Sequence, residues 1–508
     1  MAISSEAILG QNWCPMMNMD LANLKLSPER GESLYEQLVS ALESAIDQGG
    51  LSPGVRLPSE RDLAGLLKLS RTTTTNAYRE LESRGVLRRH VGRGTFVCAT
   101  PEPDEIPFAW RGKVSATALR SANPTLRNLM RDAVEPGVIS LALGTPALEC
   151  FPSVEFRRIS EQLLKRDLHT TLSHGPTEGQ PRLRRALAAR IGLRPENILV
   201  VTGSQQGLDL LAKCLVDPGD AVIVDRPCYL GAIQTFRAAG ARLVGWDLRR
   251  GDLSELEDLF IRYRPKMMYT NPTFQNPTGH TLGLSDRREL LKLVARYRIP
   301  VIEDDTYRDL YLDGAPPPSL RQLDEYNVVI YTSTFSKTLA PGLRLGWIAA
   351  NEVIVDQLAL LKQNTDIYSP NMTQLVIAEM LLSGLFDDHL KKLREEHGRR
   401  RDALIRALER HVPSKAMTFT RPKGGMYIWC RLGRGLATAQ VLSQAKAMGM
   451  VFASGEVFYG DEAGAHHLRL CFSGRPADQL EEGIKRFAKA LAATTAAGPK
   501  DMFTVAMV

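Results

Sequence analysis

Across 508 residues the chain holds no run of about 18 apolar residues, the stretch that a membrane-spanning helix requires. Its opening, MAISSEAILGQNW, lacks a basic start followed by an apolar core, so no export signal is expected. Cysteine is sparse: the seven, at 14, 98, 150, 214, 228, 430 and 471, form no CxxC pair. That pattern argues against a zinc site or a disulfide framework and fits reduced residues of a cytoplasmic protein. Net charge is small as well, +7 overall, but it is unevenly spread. Between Arg56 and Cys98 stand nine basic residues (56, 61, 68, 71, 79, 84, 88, 89, 93) against four acids (60, 62, 80, 82). A local excess of this kind is the electrostatic footprint of nucleic-acid binding, although many charge-rich stretches are only solvated faces.

What is present points to more than one domain. The length exceeds that of an ordinary single domain, and 44% hydrophobic with 24% charged residues is a normal globular composition. SLYEQLVSALESAIDQG sets Leu34, Leu38, Leu42 and Ile46 four apart, one stripe on an amphipathic helix that ends at Gly49-Gly50. In LPSERDLAGLLKL, Ser59 with Asp62 three residues on reads as a capping box that opens a second helix. Ser70 caps a third, RTTTTNAYRELESRG, closed by Gly85, with Ala77 and Leu81 inward. VLRRH-VGRG-TFV then reads as two short strands around a turn, a β-wing. Two helices, a short turn, a third helix and a wing make a winged helix-turn-helix, whose third helix enters the major groove N-terminus first. Ser70, Arg71, Thr72, Thr73 and Thr75 crowd that end, and short hydroxyls beside an arginine suit phosphate and base-edge contacts. A small helical bundle with a threonine-rich surface is the alternative. Four consecutive threonines, poor helix formers, favour DNA.

LYEQL, GLSPGVRLPSERDLA, LSRTTTTNAYRELESRGVL and GRGTFV, over residues 33 to 97, resemble the DNA-binding domain of the GntR regulators. The resemblance implies that Arg61, Arg71, Thr72, Thr73 and the wing from Gly92 through Arg93 and Gly94 to Thr95 contact DNA. The head is placed at 31–98 and a proline- and acid-rich linker at 99–134, within which Phe108 and Trp110 are suited to docking on the next domain.

From about residue 135 apolar runs alternate with amphipathic helices, the pattern of an α/β domain around a mostly parallel sheet. NILVV, DAVIVD, ARLVGW, KMMYT, PVIED and VVIYT have the length and β-branching of buried strands. Polar clusters follow five strand ends, where open α/β sheets bind ligands, and together they describe one site. The parts suit pyridoxal 5'-phosphate. Lys337 is placed for the Schiff base, and Asp304 for the protonated pyridine nitrogen. Asn276 and Tyr307 would bond the phenolic oxygen, and Tyr229 would stack on the ring. Ser204 and Gln205, at a helix start, with Thr334 and Arg344 flanking the lysine, would hold the phosphate.

VTGSQQGLDLL, QNPTGH, IEDDTY and SKTLAPGLRLGW resemble fold-type I aminotransferases of the aspartate aminotransferase class over residues 138 to 490. That resemblance implies a large α/β domain with a smaller α+β C-terminal subdomain, the body at 135–492, and a tail at 493–508 expected to be flexible. It further implies that Arg469 binds the α-carboxylate of an amino acid with Gly144 close by. In SHGPTEGQPRLR, His174 stands where the family usually has a tyrosine that reaches the partner's cofactor phosphate; packing at the interface is the alternative role.

A GntR-type head on such a body resembles the MocR regulators. This implies a multidomain transcriptional regulator that binds promoter DNA and senses an amino compound or pyridoxal phosphate. It also implies a head-to-tail, domain-swapped homodimer in the cytoplasm, associated with the nucleoid. The rival is an active aminotransferase with an accessory DNA-binding domain, because sensing and transamination need the same lysine, aspartate and arginine.

Overall fold

The structure, a computed structural model, describes residues 21, 24, 26, 27, 33–47, 50, 51, 54–90, 93–98, 113–121, 125–459 and 462–497. The expectations at Gly49, Gly92, Phe108 and Trp110 lie outside these residues. The chain divides into two compact units, 1–115 and 116–508.

In the first unit, α1 (Leu34–Asp47) opens on a reciprocal cap. The Ser33 amide donates to Glu36 Oε2 at 3.0 Å, and the Glu36 amide donates to Ser33 Oγ at 3.3 Å. Leu38 and Leu42 of the predicted stripe are fully buried, with Leu34 and Ile46 at its margin. Ser59 Oγ caps α2 (Glu60–Leu67) by accepting from the Asp62 amide, and Ser70 Oγ caps α3 (Arg71–Ser83) by accepting from the Thr73 amide. Thr74, Ala77, Tyr78 and Leu81 make the buried face of α3. The wing is β2 (Leu87–His90) paired antiparallel with β3 (Gly94–Val97). A strand of two residues, β1 (Arg56–Leu57), adds to β3 and is too short to carry any alternation in sequence. Leu21, Leu24 and Leu26 pack on the same core, and Gln37 brackets the Ser27 backbone, so the head starts before residue 31.

The second unit begins inside the segment assigned to the linker. Helices α4 (Ala116–Ser121) and α5 (Thr125–Ala133) occupy most of its second half. Pro124 divides this stretch into pieces too short to show a helical period, which hid them. A short strand, β4 (Ile139–Ser140), leads into the body. Its main sheet contains β5 (Ile198–Val201), β6 (Ala221–Asp225), β7 (Arg242–Trp246), β8 (Met267–Thr270), β9 (Val301–Asp304) and β10 (Val329–Thr334), the six predicted strands, plus β11 (Gly346–Ala349). The order is β5-β11-β10-β9-β8-β6-β7, with β11 antiparallel to both neighbours and the other pairs parallel. Leu199, Ile302 and Ile348 pack into one layer of helices, and Val200, Tyr331 and Trp347 into the opposite one. Burial on both faces explains why these strands read as unbroken apolar runs.

On the first face lie α6 (Ser204–Leu215) and α7 (Leu230–Ala238). Beyond them α8 (Leu385–His411) leads to the smaller subdomain, a sheet of β12 (Met417–Phe419), β13 (Tyr427–Leu432), β15 (Ala453–Ser454) and β16 (His467–Cys471) in the order β12-β13-β16-β15. The two-residue β14 (Met450–Val451) pairs instead with β4. The closing helix α9 (Ala477–Ala497) packs on α8 and runs past the expected boundary at 492. Thr494 is buried there and donates to Ala490 O at 2.8 Å, so the tail assignment is corrected for 493–497. Residues 498–508 lie outside the described ones.

Candidate cofactor site and DNA-binding face

The ends of the parallel strands deliver their loops to one edge of the sheet, against the smaller subdomain. A cavity of about 130 Å³ opens there, lined by Gly144, Ser204, Tyr229, Asn276, Asp304, Tyr307, Lys337 and Arg469 among others. The geometry thus gathers these eight predicted residues from strands, helix starts and loops that lie far apart in sequence.

Asp304, at the end of β9, is buried; Tyr269 OH donates to its Oδ2 at 2.8 Å and Thr306 Oγ1 to its Oδ1 at 2.6 Å. Burial raises its pKa, and the two hydroxyls only partly oppose this. Among the described residues no lysine or arginine forms an ion pair with it, so the carboxylate lacks a cationic partner. Lys337 follows β10 and donates from Nζ to Gly144 O at 2.7 Å. Burial lowers its pKa from 10.5 to about 8, nearby arginines adding to the effect, so the neutral amine is within reach at ordinary pH. Gly144 is a true close approach: a Cβ there would stand 1.9 Å from Tyr427 Oη.

Arg469, on β16, donates from Nη1 to Asn276 Oδ1 at 2.6 Å and stacks over the rings of Tyr427 (4.0 Å) and Phe458 (4.8 Å). Its Nε is buried without a hydrogen-bond partner. Asn276 Nδ2 reaches Tyr307 OH at 3.4 Å, and Tyr307 OH meets Tyr427 OH at 3.2 Å. Asn271, the first of the two Asn-Pro asparagines, accepts from the Asn276 amide at 2.7 Å and so fixes the second.

The remaining predicted residues form the rim or lie apart. Gly203 (φ 80°) precedes α6, and a Cβ on it would stand 2.6 Å from Arg344 Nη2. Arg344 is exposed and arches over this glycine, its Nη2 3.4 Å from Thr202 O. The amides of Ser204 and Gln205 make no hydrogen bond among the described residues, leaving a helix N-terminus beside a guanidinium, a suitable anion cup. The Gln205 side chain turns away to Thr235 Oγ1 at 2.7 Å, leaving its amide for the anion. Thr334 donates its hydroxyl to Leu345 O at 2.9 Å and accepts from the Ser336 amide at 3.1 Å, shaping the turn before Lys337. His174 is exposed and edge-on to Tyr368 at 5.6 Å, and it is not among the lining residues.

The residues fit pyridoxal phosphate: a buried carboxylate without a cation for the ring nitrogen, a low-pKa amine, and free amides with an arginine for the phosphate. Sequence reasoning missed Tyr269, Thr306 and Tyr427, and also Leu126, Leu129 and Phe458, which give the cavity its apolar wall. Of these only Thr306 had a sequence signal, its place inside EDDTY.

On the head, Arg61, Arg71, Thr72 and Arg93 are exposed. Ser70 and Thr73 are engaged in the cap, their hydroxyls 2.7 Å apart. Thr75 Oγ1 donates to Glu60 Oε2 at 2.7 Å, and Glu60 also pairs with Arg89 of the wing at 3.1 Å. Gly94 (φ 109°) lies in a region that favours glycine, and a Cβ there would stand 2.7 Å from Arg56 Nε, so that side chain would have to shift.

The description "Aminotransferase class I and II" matches residues 136–487, and "Bacterial regulatory proteins, gntR family" matches residues 34–97. The body is similar to the 2-aminoadipate transaminase of Thermus thermophilus, 37% identical over 390 residues, 76% of this chain and 98% of that one. It superposes on LysN, the alpha-aminoadipate aminotransferase of the same species, complexed with N-(5'-phosphopyridoxyl)-L-leucine. That likeness has a TM-score of 0.73 at 36% identity over 77% of this chain and all of the other. Over nearly its whole length the chain is similar to a Rhizobium meliloti protein named "Probable rhizopine catabolism regulatory protein MocR", 31% identical over 501 residues, 95% of this chain and 99% of that one. The cofactor of this aminotransferase-type body is pyridoxal phosphate. With a gntR-type winged helix and a class I aminotransferase body in one polypeptide, the chain belongs to the MocR-type transcriptional regulators.

Proposed function

We propose that this regulator reports a small amino compound bearing a carboxylate, received at the pyridoxal phosphate site of its body. The observation that carries the reading is Arg469, whose buried Nε has no partner in a cavity that also holds Lys337. An entering carboxylate would meet Arg469, and the ligand amine would then lie toward Lys337 Nζ. Bound pyridoxal phosphate supplies an aldehyde that captures amines and a ring that takes up electron density. The chain's own residues do the rest. Asp304 would hold a proton on the ring nitrogen. Asn276 and Tyr307 would orient the phenolic oxygen. Lys337, as a neutral amine, would be able to accept a proton, and Leu126, Leu129 and Phe458 would limit water in the cavity.

The test is titration of the purified holoprotein with a panel of amines and amino acids, read as a change in visible cofactor absorbance and in operator affinity. If a ligand changes the absorbance and none changes DNA binding or transcription, the sensing reading falls. Free pyridoxal phosphate as the effector is tested by the same DNA assay on cofactor-free protein. Lys337→Ala should lose the visible absorbance; retention of full ligand-dependent control by that variant would remove the lysine from sensing.

Similarity to a transaminase, together with an intact lysine, aspartate and arginine, supports a second reading in which transamination is retained. Many turnovers per subunit with an amino donor and a keto acid would establish it.

For the assembly we propose a homodimer in which each head is carried against the partner's body, acting on DNA in the cytoplasm. Exposed Leu168, Leu172, Ile367 and Leu382 on the body support an apolar contact with a second copy. Sedimentation of the full chain at micromolar concentration checks it, a monomer being the contrary result.

A further inference from the structure

Three of the four consecutive threonines of α3 are occupied within the head. Thr73 belongs to the cap, Thr74 is fully buried with its hydroxyl on Ser70 O at 3.0 Å, and Thr75 is held by Glu60. With 3.6 residues per turn, the face opposite buried Thr74, Ala77, Tyr78 and Leu81 carries Thr72, Asn76 and Arg79, spaced four and three apart. All three are exposed, and none of their side chains makes a hydrogen bond or ion pair among the described residues. Asn76 lies one turn further into the helix than Thr72, and two unpaired arginines, Arg71 and Arg79, lie on either side of it in the helix.

We propose that Asn76 is a base-reading residue that selects an adenine in each half-site, with Arg71 and Arg79 on the flanking phosphates. This rests on the reading of α3 as the helix that enters the major groove. An asparagine amide donates one N–H and offers one carbonyl oxygen side by side. Adenine matches both in the major groove, its N7 accepting and its N6 amino group donating. Guanine presents two acceptors, N7 and O6, and leaves the asparagine oxygen facing another oxygen. Thr72, on the same stripe, is left for a thymine methyl or a phosphate. The other threonine hydroxyls have protein partners, which makes Asn76 the chief carrier of hydrogen-bond specificity on this stripe.

The test is selection of binding sites from random duplex DNA with the full-length holoprotein and with Asn76→Ala, each checked for native cofactor absorbance and melting. The wild type should enrich one adenine per half-site, and replacing that base by guanine should weaken binding roughly 5- to 150-fold. Asn76→Ala should bind all four bases at that position within about 3-fold of one another, with an unchanged salt dependence because no phosphate contact is lost. An Asn76→Ala protein that keeps the wild-type preference at every position overturns the assignment and leaves the regulator intact. A wild type that enriches no sequence while retaining its cofactor would instead remove the DNA reading beneath it.

Discussion

At the scale of single residues, the lysine of the body is set chiefly by burial, with neighbouring charges secondary. Its pKa of about 8 means that the nucleophilic amine grows in with rising pH and is largely present above that value. Reconstitution of cofactor-free protein with pyridoxal phosphate should therefore accelerate from pH ~7 to ~9 and then level off. A rate still climbing toward pH 10.5 would mean an ordinary lysine. The same shift bears on folding in the cofactor-free protein. The folded state disfavours the ammonium, so the unfolded chain binds more protons between about 8 and 10.5, and stability rises with pH across that window. Gly203 offers a second check. With φ 80° and ψ 157° it occupies a region that costs other residues about 1–3 kcal/mol, and an added Cβ would strike Arg344. Gly203→Ala should weaken pyridoxal phosphate retention by roughly an order of magnitude or more, measured by dialysis against a range of cofactor concentrations, while leaving DNA affinity of the loaded protein in place.

At the scale of elements, the head has its own apolar centre, which makes its stability separable from that of the body. Leu81 is fully buried in that centre, and Leu81→Ala should cost about 2–5 kcal/mol. A domain this small is expected to lose DNA binding at moderate temperature while the visible absorbance of the body persists; calorimetry would show an early transition split from the main one. Element identity was legible wherever a local rule governed it. Caps at Ser59 and Ser70, the stripe of α1 and the six apolar strands all follow from spacing within about ten residues. β11 escaped because GWIAA directly follows the lysine loop and gives no alternation, and only its neighbours on both sides make it a strand. Helices α4 and α5 were hidden by the proline between them. The candidate site divides along the same line. Lys337 and Asn276 sit in loops after a strand and Asp304 at a strand end, positions visible in sequence. Tyr427 and Phe458 arrive from the smaller subdomain, and their approach depends on pairings such as β13 with β16 that no local pattern announces.

At the scale of the whole molecule, charge and assembly become measurable. Arg61, Arg71, Arg79 and Arg93 are exposed on the head, with Arg61 in only a long contact to Asp62. Loss of one phosphate contact, as in Arg71→Ala, should reduce the slope of log affinity against log salt by about 0.9 without changing which sequence is preferred. Glu60 draws a last consequence. One carboxylate grips Thr75 on the recognition helix and Arg89 on the wing, so the two DNA-facing parts form a single stencil of fixed spacing. A ligand received in the body, as proposed, would then have little leverage over what each head reads. In the proposed homodimer its effect would belong in the distance and phasing between two stencils. Inserting half a helical turn of DNA between the half-sites should abolish control while leaving the affinity of one head for one half-site untouched, and Glu60→Ala should do the reverse, blurring each half-site before it alters their spacing.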